Sequence, residues 1–158
     1  MSFAIIVVAL AVLILVSARL GAFSGTEPTH LGLRDGKFKP PSATPNSVSS
    51  QADLWPAHPQ RVAAAIAPLA LLGDGPTTIA RLALLIEGMD GARIVERRPD
   101  YLYAQFTTRL MRFVDDTEFW FDPVARDIQV RSGSRLGQTD QGVNRARVEA
   151  IRARLTGA

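Results

Sequence analysis

Three carboxylates crowd one short run, Asp115-Asp116-Thr117-Glu118, and two guanidiniums with two hydroxyls crowd another, Arg131-Ser132-Gly133-Ser134-Arg135. Paired carboxylates suit general acid–base work when their environments differ and a substrate can reach them. Arginines beside hydroxyls suit a phosphate or carboxylate, because a guanidinium presents a planar fork of donors. The two runs therefore admit three chemistries: ion pairing with each other, capture of an anion or lipid headgroup, or hydrolysis. Asp140, Asn144 and Arg145 follow close behind. Other chemistry is excluded. The chain has no cysteine, which removes disulfides, thiolate catalysis and thiolate-held metals. His30 and His58 stand alone, so neither a metal site nor a cofactor is expected. No P-loop, dinucleotide fingerprint or nucleophile elbow occurs.

What these residues do depends on the strands that carry them. A hairpin turning at Pro123 to Arg126, with Asp122 opposite Asp127, sets Phe121 against Ile128 and Phe119 against Val130. Those four make one apolar face, which should pack on helices. On the other face Glu118 meets Arg131, Trp120 meets Gln129, and Asp116 meets Gly133 with Arg131 and Arg135 diagonally near. Strand alternation sends Asp115 to one side and Asp116 with Glu118 to the other. Ion pairing of Asp116 and Glu118 with Arg131 and Arg135 is thus the first expectation, an anion site the second, hydrolysis the third.

The remaining elements follow from periodicity. Ile66 to Leu72 reads as an edge strand. Ile79, Leu82, Leu85, Ile86 and Met89 recur at helical spacing after Pro76-Thr77-Thr78, and Gly88 to Gly91 stop that helix. Strands are expected at Arg93–Arg98, Tyr101–Thr108, Phe113–Asp122 and Asp127–Leu136. Val143, Val148, Ile151 and Leu155 mark a last helix, with Asp140 able to cap its start and Arg145, Arg147, Arg152 and Arg154 on its wet side. The fold class is α+β: an antiparallel sheet of about five strands with two helices on one face.

Residues 1–23 are read as a transmembrane anchor, 24–61 as a Pro/Ser-rich extended linker, and 62–158 as the α+β domain. Phe3 to Val16 is wholly apolar, and every charged side chain lies at or beyond Arg19. A span needs about 20 residues, which residues 2–23 reach if Arg19 snorkels. Val16-Ser17-Ala18 resembles a signal-peptide cleavage site, but no Lys or Arg precedes the run, which favours an uncleaved anchor. Leu31, Leu33, Phe38, Val48, Leu54 and Trp55 are too apolar for a free tether, so much of the linker should lie on the domain as ordered coil. Of 18 basic residues only Lys37 and Lys39 are lysine, and the net charge is +3. No basic block interleaves with aromatics, so no nucleic-acid partner is expected.

Phe113-Val-Asp-Asp-Thr-Glu-Phe119 and the long block from Arg131 to Glu149 resemble the signature blocks of the family called domain of unknown function 1499. Pro45-Asn46-Ser47-Val48-Ser49-Ser50 resembles its N-terminal motif and Asp100-Tyr101-Leu102 a middle one; the resemblance spans about residues 31–155. It carries over Asn46, Ser49, Ser50, Asp115, Asp116, Glu118, Arg131, Ser132, Ser134, Arg135, Gly137, Asp140, Gly142, Asn144 and Arg145. Relatives often carry Cys where Ser47 stands and near Pro41; without such a bridge this linker should be looser. The resemblance implies no established activity. It implies bacterial and plastid proteins attached to membranes, which favours an inner-membrane protein with a periplasmic domain. The positive charges after the span (Arg19, Arg34, Lys37, Lys39) point instead to a cytoplasmic domain.

The functional expectation is a non-enzymatic, single-span accessory protein whose partners are the lipid bilayer and a larger integral-membrane complex. The alternative is a binding module for an anionic small molecule or lipid headgroup using Arg131, Ser132, Ser134 and Arg135. A hydrolase using Asp115, Asp116 or Glu118 comes last and requires an open cleft around them.

Overall fold

A computed structural model describes residues 2–157; Met1 and Ala158, the ends of the expected anchor and the expected domain, lie outside the described residues. Helix α1 covers Phe3–Arg19 and stops before Phe23. Gly21 ends it: this residue takes φ +88, its N–H donates to Ala18 O at 3.1 Å, and the Ala22 N–H donates to Ser17 O at 3.0 Å. That pair of bonds is a Schellman closure, which needs a left-handed residue. The expectation of a spanning helix is corrected accordingly. No helix of the described residues is long and apolar enough to cross a membrane. At 1.5 Å per residue α1 measures about 25 Å, against a hydrocarbon core of about 30 Å.

Five strands build the antiparallel sheet: β1 (Ser47–Ser49), β2 (Ala92–Arg97), β3 (Tyr101–Thr107), β4 (Val114–Asp122) and β5 (Asp127–Ser134), in the order β1-β5-β4-β3-β2. In the β4–β5 hairpin Asp122 faces Asp127, Phe119 faces Val130 and Glu118 faces Arg131, the register expected from the turn. The expected edge strand at Ile66–Leu72 does not form. A single turn of helix, α2 (Arg61–Ala64), precedes it, and only Leu69 bridges to Ile128, with both N–H···O bonds at 2.9 Å. Pro68 supplies no N–H to extend the ladder. The rest of that edge belongs to β1, which pairs with Arg131–Gly133.

Helices α3 (Gly75–Glu87) and α4 (Val143–Thr156) lie on one sheet face. Asp74 caps α3 by accepting the Thr77 N–H at 2.7 Å, and Pro76 sits in the first turn, where a missing N–H costs nothing. Ile79, Leu82 and Ile86 from α3 and Val148, Ile151 and Leu155 from α4 close the core against Leu102, Phe119, Ile128 and Val130. No helix of the described residues packs on the opposite face. Coil residues cover it: Phe38, only 1% exposed, packs on Tyr101 and Tyr103, with Leu31 and Leu33 beside them. Gln51 pins this coil, accepting the Phe38 N–H at 2.8 Å and donating to Gly36 O at 2.9 Å. At Ser47, where the resemblance implies a cysteine in relatives, Oγ accepts the Ser42 N–H at 2.8 Å, and Pro41 and Asn46–Ser49 are buried rather than loose.

Candidate functional site

Beneath the coil, β3, β4 and β5 present Tyr101, Tyr103, Asp116, Glu118 and Arg131 to one buried layer. Arg135 reaches in from just beyond β5. Its Nε donates to Asp116 Oδ2 at 2.9 Å and its Nη2 to Asp116 Oδ1 at 2.8 Å, a two-point fork. The Tyr103 hydroxyl donates to the same Oδ1 at 2.5 Å, and Gln105 donates to that hydroxyl at 2.8 Å. The hydrogen bonds from Arg135 to Asp116 hold the guanidinium pKa above its ordinary value. Burial, helped by the bond to Asp116, pushes the Tyr103 phenol up to about 12.

Glu118 and Arg131 form a different kind of pair. Glu118 Oε1 accepts the Tyr101 hydroxyl at 2.8 Å and the Gly32 N–H of the coil at 2.6 Å. Its contact with Arg131 is loose, Nη1 to Oε2 at 4.0 Å, and neither Glu118 Oε2 nor Arg131 Nε has a hydrogen-bond partner among the described residues. Desolvation therefore dominates. It raises the Glu118 carboxyl above the ordinary range and lowers Arg131, and with the nearby Arg131 charge it lowers Lys39 as well.

The helix face carries the second layer. Asp115 takes a 2.5 Å bond from Arg147 of α4, whose guanidinium also lies over the Phe106 ring, 4.6 Å from its centre. Ser132 Oγ sits between Thr117 Oγ1 at 2.8 Å and Asn144 Oδ1 at 2.6 Å. Asn144 Nδ2 reaches Asp140 Oδ2 at 2.9 Å, Ser134 Oγ at 3.0 Å and Asn46 O at 3.2 Å, tying α4, β5 and the start of β1 together. Asp140 caps α4 from outside it, accepting the N–H groups of Gly142 at 3.0 Å and Asn144 at 2.9 Å. Partial burial works against its ionised form, but these bonds win and hold its carboxyl below the usual value. Arg145 leaves the network and donates to Ala63 O and Ala65 O at 3.0 and 2.8 Å.

The ten residues singled out in the sequence thus divide between the two faces. Arg131 and Arg135 lie under the coil, while Ser132 and Ser134 point towards α4, so these four do not converge on one anion. Strand alternation is the reason. Asp115, Asp116 and Glu118 are 3%, 1% and 0% exposed, so the open cleft that hydrolysis requires does not surround them. In this arrangement Glu118 holds the coil through the Gly32 N–H, Asp115 holds α4 through Arg147, and Asp116 pairs with Arg135 at the end of β5. Breaking a buried charge pair by removing one partner costs about 3–5 kcal/mol, so the Asp115–Arg147 pair ties α4 to the sheet.

Arg147, Tyr101, Tyr103, Gln105, Thr117 and Lys39 lie in or beside these layers without having been singled out in the sequence. Arg147, expected on the wet face of α4, has a side chain only 9% exposed. The signal was present: positions 144, 147, 148, 151 and 155 form one i, i+3, i+4 stripe. Tyr101 and Tyr103 alternate with the core residues of β3 and so fall on the carboxylate face. Lys39 carried no signal, because coil has no period.

The architecture defines an α+β domain whose antiparallel sheet is sealed by helices on one side and by coil on the other. The chain belongs to the family described as Protein of unknown function (DUF1499), which it matches over residues 37–155. The match begins inside the coil, later than the resemblance drawn from Leu31, and leaves out α1. Comparison with curated proteins and with solved structures found no match.

Proposed function

We propose that this protein is a membrane-attached module without catalytic chemistry of its own, with α1 sunk in lipid and the domain held at the bilayer surface. The supporting observation is that Ser2–Val16 are exposed on every side and that, after Ser2, all of them are apolar. Eleven large apolar side chains of α1 face solvent, from Phe3 to Val16. Burying them in lipid is worth on the order of 10 kcal/mol, at about 1 kcal/mol for each half-exposed chain. That exceeds the roughly 5.5 kcal/mol of one myristoyl group. A water-facing helix would show a polar stripe, and α1 has none. The buried, guanidinium-held carboxylates support a structural use of the motif residues over a catalytic one.

Membrane attachment is tested by density-gradient flotation. The full chain should rise with phosphatidylcholine vesicles, and a chain lacking residues 2–20 should stay at the bottom. A full chain that stays down as a monomer contradicts the proposal. Docking on a larger integral-membrane protein would use the same surface of α1. A defined second protein recovered in mild detergent supports that part, and monomer alone removes it.

A further inference from the structure

A cavity of about 950 Å³ opens at the foot of α1, lined by Arg19, Arg109, Arg112, Arg147 and Arg154. Asp90 is the one carboxylate in its wall. Arg147 is already matched by Asp115. The other four guanidiniums make no ion pair and no side-chain hydrogen bond among the described residues, and all four are exposed. They come from three separate places: the end of α1, the β3–β4 turn, which supplies two of them, and the end of α4. Nothing in the fold requires such a gathering, since like charges side by side repel.

The turn is built to present one of them. Arg112 holds φ +61, a left-handed conformation that costs a branched-free side chain less than a β-branched one but that glycine or asparagine ordinarily occupies. The turn is closed by the Thr108 N–H donating to Phe113 O at 2.9 Å and by the Arg112 N–H donating to Thr108 O at 3.2 Å. Phe113 in turn packs on Phe23, ring centres 5.7 Å apart, which fixes the turn beside the end of α1. The floor is equally constrained. Gly91 has φ +71, and a Cβ there would strike Thr107 O.

We propose that this cavity binds a phosphate group, either on the headgroup of an anionic lipid or on a soluble phosphorylated molecule. Guanidinium forks match phosphate oxygens in two-point contacts, and the volume lies within the range of small-molecule sites. The lipid source rests on the membrane reading above: with α1 in lipid, Arg19 marks the interface and the cavity sits in the headgroup layer.

The test uses the full chain, the variant Arg109→Gln/Arg112→Gln, and a control, Arg97→Gln/Arg126→Gln, that removes equal charge at the opposite end of the sheet. Binding is measured to vesicles of phosphatidylcholine alone and of phosphatidylcholine mixed equally with phosphatidylglycerol. Inorganic phosphate and glycerol phosphate are titrated separately against the detergent-solubilised chain, followed by the arginine Nε–H resonances. A lipid site predicts tighter binding to the mixed vesicles, weakened about fivefold per guanidinium lost at the cavity, with the control changed far less. A soluble ligand predicts saturable shifts at Arg109 and Arg112 with glycerol phosphate and no preference between vesicles. Equal loss in variant and control, or no vesicle preference and no saturable shift, overturns the proposal. Vesicle binding that is strong but indifferent to lipid charge, together with no saturable shift in the phosphate titrations, would leave α1 attachment standing and sink only the cavity. Failure to bind any vesicle would sink the attachment, while the phosphate titration would still decide the cavity.

Discussion

Replacing Asp116 with Asn changes one oxygen for an amide and removes one charge, so it isolates what the Arg135 fork contributes. Asp116 is 1% exposed and the Arg135 side chain 7%. Asn can keep one acceptor for Nη2 but turns its NH₂ towards Nε, setting donor against donor at a separation of 2.9 Å. The guanidinium is left charged, buried and half-paired, a loss of about 3 kcal/mol at the lower end for a broken buried pair. For a chain of this size that lowers the melting temperature by roughly 10 °C. The assay is thermal unfolding of the full chain in mild detergent, followed by far-ultraviolet circular dichroism. Arg135→Met should also destabilise, by leaving the carboxylate buried against Tyr103 alone. The double variant Asp116→Asn/Arg135→Met should lose less than the two single losses together, with a coupling of about 1–3 kcal/mol. If Asp116→Asn melts within about 2 °C of the parent, or if the single losses simply add, the layer under the coil is not held by this pair.

Three other outcomes are expected. Burial raises the Glu118 carboxyl above its ordinary value of 4.5, so the stability this group contributes is complete below that value and is lost as pH rises through the raised folded pKa; melting temperature against pH should fall relative to Glu118→Gln across that window, and a wild type that gains on the variant would reverse the sign. Asp140→Ala should cost about 1–2 kcal/mol through loss of the α4 cap; because the Asp140 carboxyl is held below 3.8, the difference from wild type should persist at neutral pH and close as pH falls through the lowered value, read by the same melts. Gly91→Ala forces an alanine into φ +71 against Thr107 O and should destabilise by more than about 2 kcal/mol; a neutral melt would mean the β2–β3 edge can shift.

The sequence exposed most where period and turn act together. Asp122 and Asp127 flank a four-residue turn, and that alone sets Glu118 opposite Arg131 and Phe119 opposite Val130. Helices α3 and α4 were legible from apolar spacing, from Pro76-Thr77-Thr78 and Gly88, and from Asp140. Legibility ended where local pattern and long-range pairing disagree. Ile66–Leu72 has strand composition, but Pro68 cannot donate, and the neighbouring edge of β5 is occupied by three residues, Ser47–Ser49, too short and too polar to read as a strand. Gly21 could have been read as a helix stop, since apolar residues beyond it do not offset its left-handed turn. The site was half legible: alternation separated Asp115 from Asp116 and Glu118, and the same rule applied to β5 separates Ser132 from Arg131. The coil that covers the second face has no period at all, so its hold on Glu118 through Gly32 appears only in three dimensions.

The chain contains no cysteine, which allows the central claim to be tested with one spin label. Leu10→Cys places the label midway along α1, and Val124→Cys places it on the far β4–β5 turn, where the native residue is 91% exposed. With the protein on phosphatidylcholine vesicles, the label at 10 should collide freely with oxygen and be shielded from a water-soluble nickel complex, while the label at 124 shows the reverse. A label at 10 as open to nickel as the label at 124 would mean that α1 lies in water, and membrane attachment would fall.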